Sequence, residues 1–236
     1  MRIHLIPILK DNYVFLITGQ QDECIVIDPG EAEPVLNYIA ANDLTLTHIL
    51  NTHHHWDHTD GNLEIKHKTG CTIVGPVYEP IRGIDTALSE GEQFQWQDLT
   101  FDVFHTPGHT QGHITYYVAA LNAVFVGDVI FNMGCGRLFE GTPADAWDAF
   151  QKILALPDDT SMYCAHEYTL GNGKFALKHA PDNQEIQTRM DREKDKRRQG
   201  LPTIPSTLGL EKATNPFLRC VDVHEFAALR KMRDQR

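Results

Sequence analysis

Four of the chain's 13 histidines fall inside one ten-residue stretch, Thr52-His53-His54-His55-Trp56-Asp57-His58-Thr59-Asp60-Gly61, directly after an apolar run that ends at Leu50. In an extended segment residues two apart project to the same side, so His53 and His55 share a face. A turn at Trp56 would bring Asp57 and His58 to a neighbouring point, and one short loop could then serve two metal ions. Neutral imidazole and carboxylate are the usual ligands of zinc and other first-row divalent ions. At this chain's own His and Asp frequencies the pattern His-x-His-x-Asp-His arises by chance in roughly 0.3% of such chains. A fold that presents a strand end as a metal site is the first constraint.

The surrounding pattern supplies such a fold. Runs rich in Val, Ile, Tyr and Phe at 13–17 and 24–27, the second closed by Asp28-Pro29-Gly30, predict strands and a turn. Val35, Leu36 and Ile39 at helical spacing predict a helix over 31–41, leading to a strand at 47–50. A helix over 62–68, strands at 71–74, 94–96, 99–104, 114–118 and 123–126, a helix over 143–156 and a last strand at 161–164 follow. The expectation is a sheet-rich α/β chain with mixed pairing. Beyond Cys164 strands are expected to give out, leaving helices over 173–179, 183–198 and 223–232 around a Pro/Gly/Thr-rich loop at 200–209, with a composition shift near residue 170. A boundary at that composition shift gives domains 1–170 and 171–236.

Three more strand ends carry metal-binding side chains: Thr106-Pro107-Gly108-His109-Thr110, Gly127-Asp128 and Cys164-Ala165-His166-Glu167-Tyr168. Taken singly, a capping Asp or a hydrogen-bonded His accounts for each. All of them in one chain point to metal.

Composition narrows the class. With 42% apolar and 22% charged residues the chain is globular rather than disordered. No apolar stretch reaches the ~18 residues of a membrane span, and the first 15 residues lack a signal-peptide pattern, so a cytoplasmic location without membrane contact is expected. The five cysteines, Cys24, Cys71, Cys135, Cys164 and Cys220, include no CxxC pair and read as reduced, mostly buried thiols. A net charge of −11 argues against nucleic acid as a partner. The charge is uneven: residues 1–173 hold 7 Lys+Arg against 23 Asp+Glu, and residues 174–236 hold 14 against 9.

The motif 53–58, the turn 106–110, Gly127-Asp128 and His166 resemble the metallo-β-lactamase superfamily, which implies an αβ/βα four-layer sandwich of two mixed sheets. Within it, Asn12-Tyr13, Asp28-Pro29-Gly30, Gly134-Cys135-Gly136-Arg137-Leu138-Phe139-Glu140-Gly141-Thr142, Ala165-His166-Glu167-Tyr168-Thr169 and Asn215-Pro216-Phe217 resemble the glyoxalase II (hydroxyacylglutathione hydrolase) family. That resemblance covers essentially the whole chain and implies a small C-terminal helical domain for glutathione recognition. It further implies that His53, His55 and His109 bind one divalent ion, that Asp57, His58 and His166 bind the other, and that Asp128 bridges them. Zinc is the expected ion, and iron and manganese accept the same ligands. His54 is not a ligand in this pattern and Trp56 is expected to pack. His113 is expected to be a core residue or a support behind the ligands.

The implied reaction is hydrolysis of S-D-lactoylglutathione and related S-2-hydroxyacylglutathiones to D-lactate and glutathione, the second step of methylglyoxal detoxification. A hydroxide shared by the two ions would attack the thioester carbonyl, with Asp57 holding a metal and accepting a hydrogen bond from that hydroxide. The leaving thiolate needs little help because a thiol is more acidic than an alcohol. By the same resemblance Arg137, Tyr168, Arg230 and Arg233 contact the glutathione moiety. Positions three apart on a helix share a face, and arginine forks onto carboxylates. The cluster 189–198 is expected to be a solvated helix face. Phe139 stands where many relatives carry tyrosine, and Arg233 where lysine is common. A monomer is expected. The competing readings are a single-iron glutathione persulfide dioxygenase on the same fold and an idle metal or glutathione carrier.

Overall fold

The computed structural model describes residues 1–235 and divides the chain into two compact units. One comprises Met1–His105 with Gly112–Ala120, the other Thr106–Gln111 with the chain from Leu121 onward.

In the first unit β1 (Arg2–Ile8), β2 (Asn12–Thr18) and β3 (Glu23–Ile27) form an antiparallel meander. Helix α1 (Ala32–Ala41) then returns the chain to β4 (Thr45–Leu50), which pairs parallel with β3. A single turn α2 (Trp56–Thr59) and helix α3 (Asn62–Thr69) lead to β5 (Thr72–Pro76), parallel to β4, and then to the short parallel strand β6 (Thr86–Leu88). The resulting sheet is mixed, in the order β1-β2-β3-β4-β5-β6. Its middle strands are apolar without alternation, because Val14, Leu16 and Val26 on one face and Phe15, Ile17 and Ile25 on the other are all buried. Val35 and Ile39 of α1 and Ile65 of α3 complete the core against Val14, Leu16, Val26, Ile49 and Ile73. An antiparallel meander of β7 (Gln93–Trp96), β8 (Leu99–His105) and β9 (Ile114–Val118) finishes the unit.

The second unit holds β10 (Ala123–Gly127), the hairpin of β11 (Ile130–Phe131) and β12 (Gly134–Cys135), helix α4 (Pro143–Leu154) and β13 (Ser161–Cys164). Strands β10 and β13 pair parallel, with an irregularity between Phe125 and Gly127 that ends the ladder at Gly127 opposite Cys164. Thr142 caps α4 in a reciprocal capping box with Asp145, and Pro143 opens the helix. Then come α5 (Thr169–His179), α6 (Gln184–Arg198), β14 (Ser206–Thr207), α7 (Leu208–Thr214) and α8 (Val223–Asp234). Met133, Ala176, Ile186 and Met190 pack α5 and α6 together. Phe226 of α8 stacks edge-on against Phe150 of α4 and Phe217. Among the described residues no helix is long and apolar enough to cross a membrane.

Three expectations are corrected. Strands do not end at Cys164, because β14 adds two residues antiparallel to β13. Trp56 does not pack: it is 61% exposed. The face 189–198 is only partly solvated, since Arg189 is 2% exposed and its guanidinium bonds Thr214 Oγ1, Ser206 Oγ and Glu211 Oε1.

Candidate metal centre

In the first unit the histidine loop leaves β4 at Leu50 and is anchored at once. Asn51 and Asn62 exchange side-chain hydrogen bonds, Asn51 Nδ2 donates to His58 O at 3.0 Å, and Tyr116 OH donates to Asn51 O at 2.9 Å. Burial, with Asp28 nearby, pushes the Tyr116 phenol well above its usual range, so it stays a donor. Asp28, in a left-handed conformation (φ +53°), turns its carboxylate onto the loop. Its Oδ1 accepts from Thr52 N–H at 2.8 Å, and its Oδ2 accepts from Thr52 Oγ1 at 2.7 Å and faces His58 Nδ1 at 3.0 Å. A carboxylate at Nδ1 fixes the imidazole with its proton there and its lone pair on Nε2. Because Thr52 Oγ1 gives its own proton to Asp28, it accepts from His53 Nδ1 at 3.0 Å, which leaves His53 Nε2 as a lone pair too.

His53 Nε2 lies 3.0 Å from His55 Nδ1, and the His53 and His58 rings are 4.1 Å apart between centroids. His53 and His58 are buried, His55 and Asp57 half-buried. The turn α2 brings Asp57 Oδ2 to 3.8 Å from His58 Nε2, and Asn12 Nδ2 donates to both Asp57 Oδ2 and Asp57 O. Gly30 is required here, because a Cβ on it would lie 1.9 Å from Asp57 O. Asp28, His53 and His58 also offer three atoms within 4.8 Å of one another, but the oxygens of Asp28 are engaged from behind the loop. His54 turns away to Glu79, and His113, fully buried, stacks on His53 at 4.9 Å.

The second unit carries the other half of the predicted set. The ladder of β10 and β13 ends with Ala165 N–H donating to Gly127 O, so Asp128 and His166 emerge from adjacent strand ends. Asp128 divides its carboxylate: Oδ2 lies 3.3 Å from His109 Nε2 and Oδ1 3.3 Å from His166 Nε2. His109 Nδ1 faces Arg137 O at 2.8 Å, which places the lone pair on Nε2 by the same logic. Gly136 passes so close that a Cβ would meet Asp128 O at 1.9 Å, which explains the glycine between Cys135 and Arg137.

The donor chemistry fits divalent metal. Ligands about 2.0–2.1 Å from a tetrahedral zinc are separated by about 3.4 Å, and the donor pairs within each unit lie at 3.0, 3.3, 3.3 and 3.8 Å. Three of the imidazoles point a lone pair forward because their other nitrogen is held by a hydroxyl, a carboxylate or a carbonyl. Asp28, Asn12 and Thr52 carry no role in the sequence reading, although each sits in one of its motifs. The Asp-Pro-Gly turn at a strand end was the available signal.

The residues expected to hold substrate lie in the second unit. Tyr168 stacks flat on His166 at 4.7 Å, and Arg137 is 62% exposed with Nε 3.7 Å from Asp234 Oδ1. Arg233 lies over the Phe175 ring at 5.5 Å with Nη2 3.5 Å from Asn172 Oδ1. Arg230 is different: it is 6% exposed, bonding Cys135 O at 3.0 Å and Asp234 Oδ1 at 2.8 Å above the Phe217 ring. Phe139 is exposed with its ring edge-on to His109 at 5.2 Å. Burial pushes the Cys135 thiol up to about 11, with Arg230 opposing the shift, so it is no nucleophile at neutral pH.

Known protein families resemble the chain along nearly its whole length. The profile of the metallo-β-lactamase superfamily matches residues 9–166, and that of the hydroxyacylglutathione hydrolase C-terminus matches residues 167–236. A hydroxyacylglutathione hydrolase of Photobacterium profundum is 43% identical, with 99% of each chain covered. One from Synechococcus is 49% identical over 93% of this chain and 89% of its own. Among solved structures, ETHE1 from Myxococcus xanthus superposes with a TM-score of 0.76 at 25% identity, covering 98% of this chain and 90% of that one. With a metallo-β-lactamase fold of mixed sheets and helices followed by a helical C-terminal segment, the chain belongs to the hydroxyacylglutathione hydrolase family of the metallo-β-lactamase superfamily.

Proposed function

We propose that the protein is a binuclear-metal thioesterase that hydrolyses S-D-lactoylglutathione and related 2-hydroxyacyl thioesters to D-lactate and glutathione. Family membership supports the reaction. The observation that carries the metal part is Asp128, whose two oxygens each meet one imidazole nitrogen, the posture of a carboxylate shared by two ions. In this reading His53, His55 and His109 would hold one ion and Asp57, His58 and His166 the other, with Asp128 available to both. Two divalent ions bound there, zinc first among the candidates, would supply an acidified water at neutral pH and a Lewis acid for the carbonyl.

The chain's own residues do the rest. Asn12 donates to both Asp57 Oδ2 and Asp57 O and so fixes the orientation in which the Asp57 carboxylate would meet a metal. Asp28 and Thr52 fix the tautomer and ring orientation of His58 and His53. Arg137, Tyr168 and Arg233 meet the glutathione moiety, whose carboxylates suit arginine. Arg230 contributes its charge from the interior while fixing the 135–137 segment through Cys135 O. The residues up to 170 are the proposed catalytic domain and those from 171 the proposed recognition domain, in a cytoplasmic monomer.

The test is loss of thioester absorbance with S-D-lactoylglutathione, on protein whose metal content has been measured, beside His53→Ala and Arg137→Ala. The expected result is two metals per chain, turnover abolished by the first change and KM raised by the second. One iron per chain with oxygen uptake on glutathione persulfide would overturn the thioesterase. So would a loaded wild type that does not turn over.

A further inference from the structure

Three consecutive histidines open the metal loop, and any adjacent imidazole is chemically competent to be a ligand. Something must decide that His53 and His55 face one side and His54 the other. The sequence contains no such instruction, since a slip of one residue exchanges the faces of an extended segment.

The carboxylate of Glu79, on the stretch after β5 and outside every motif read from the sequence, sits at this point. It is 7% exposed. Its Oε2 accepts from the His54 backbone N–H at 3.1 Å and makes a short contact with His54 Nδ1. Its Oε1 accepts from Gly112 N–H at 2.8 Å. Gly112 is there because the approach is close: a Cβ would lie 2.7 Å from Tyr78 O and 2.8 Å from Glu79 Cγ. The residue after it, His113, stacks on His53 at 4.9 Å, and Ile114 N–H donates to Thr52 O at 2.9 Å. One buried anion therefore grips the middle histidine by backbone and ring, and it grips the segment that backs the first histidine. A buried carboxylate is tolerated only when its oxygens are bonded, and such charge-assisted bonds are among the strong ones.

We propose that Glu79 is the positioning residue that sets the register of the histidine loop. By holding the His54 ring on the far side, it commits His53 and His55 to the metal side. This rests on the reading that the loop binds metal. Without Glu79 the His54 ring is released, becomes a rival ligand, and the His53/His55 pair loses its fixed projection.

The experiment compares Glu79→Gln, Glu79→Asp, His54→Ala and the double variant His54→Ala/Glu79→Gln. Metal content, affinity by chelator competition, and the visible spectrum of the cobalt-loaded protein are read for each. Glu79→Gln is expected to weaken metal binding about 10–100-fold, the usual effect of losing a support behind a ligand, and to change the cobalt spectrum. Glu79→Asp keeps the charge but is too short, and should do the same. His54→Ala alone should bind metal as the wild type does. In the double variant, removal of the rival imidazole should restore the wild-type cobalt spectrum and most of the affinity. The proposal is overturned if Glu79→Gln leaves affinity and spectrum unchanged, if Glu79→Asp behaves as wild type so that charge alone matters, or if the double variant shows no recovery. It is overturned as well if the melting temperature of the metal-free Glu79→Gln form falls as far as that of the loaded form, which would mark general damage. A wild type that binds no metal would sink the proposed function and leave the contacts of Glu79 without this role.

Discussion

Asp28 supports two of the proposed ligands with one carboxylate, His58 directly and His53 through Thr52. Asp28→Asn tests that arrangement cleanly, because asparagine tolerates the left-handed backbone at this position as well as aspartate does. The amide presents an N–H where an acceptor is needed, so one imidazole loses its fixed tautomer. Metal affinity is expected to fall about 10–100-fold, read by chelator competition, and an unchanged affinity would refute the role. The thiols make a second residue-scale case. All five cysteines are buried and free, and burial pushes Cys24 and Cys220 up to about 12 and Cys135 to about 11. A colorimetric disulfide reagent at pH 8 should therefore titrate none of them within minutes in the native protein and all five after denaturation; fast native reaction at any one would contradict the burial. At this scale the proposed ligands stood out in the sequence because four share one loop and His109, Asp128 and His166 each follow a strand. Asn12, Asp28 and Glu79 did not, because what makes each of them matter is a partner 24 to 45 residues away in the chain.

Among the elements, α6 shows how a charge pattern misleads. Lys194 with Asp191 and Arg198 with Asp195 are the exposed i,i+3 pairs that alternation suggests. Arg189 looks the same in sequence, yet it is buried on Glu211 of α7, whose Oε2 also accepts from Met133 N–H and Asn215 Nδ2. Glu211→Gln leaves a buried guanidinium without its anion, a loss of about 3–5 kcal/mol. At about 2–4 °C per kcal/mol for a chain of this size the melting temperature should drop by roughly 6–20 °C, whereas Asp195→Ala should move it by less than a degree or two. Equal effects would dismiss the distinction. The long apolar strands and capped helices were readable locally, but α7 was not, since its Gly209 and the preceding Pro205 read as loop and only the Thr207 cap marks its start. Strand β1 escaped because Pro7 breaks its pattern, which an edge strand tolerates. His48 on β4 gives a pH test: burial against Phe94 holds its pKa below 6.5, Glu23 opposing the shift. The unfolded chain then binds a proton that the fold refuses, so this stability is present above pH 6.5 and declines as pH falls through it. The stability lost between pH 7.5 and 5.5 in urea titrations should be smaller in His48→Gln, and an equal loss would refute the assignment.

For the molecule as a whole, the proposed ligands run from His53 to His166, so the unfolded chain cannot assemble them without closing loops of many tens of residues. Metal binding is then folding free energy. The chain's net charge of −11, concentrated in residues 1–173, works in the same direction, because divalent cations offset the repulsion among its carboxylates. One ion at a free concentration 100 times its Kd stabilises the native state by about 2.7 kcal/mol, which at about 2–4 °C per kcal/mol corresponds to roughly 5–10 °C. A chelator such as dipicolinate should lower the melting temperature by that amount for each ion removed, and zinc restored in slight excess should recover it. The electrostatic share should shrink as ionic strength rises, since exposed charges are screened within about 10 Å at 0.1 M salt, whereas the coordination share should persist. The observation that would defeat this argument is a melting temperature identical with and without chelator in protein that was first shown to carry metal, because ligands gathered from so much of the chain cannot release their ions without cost to the fold.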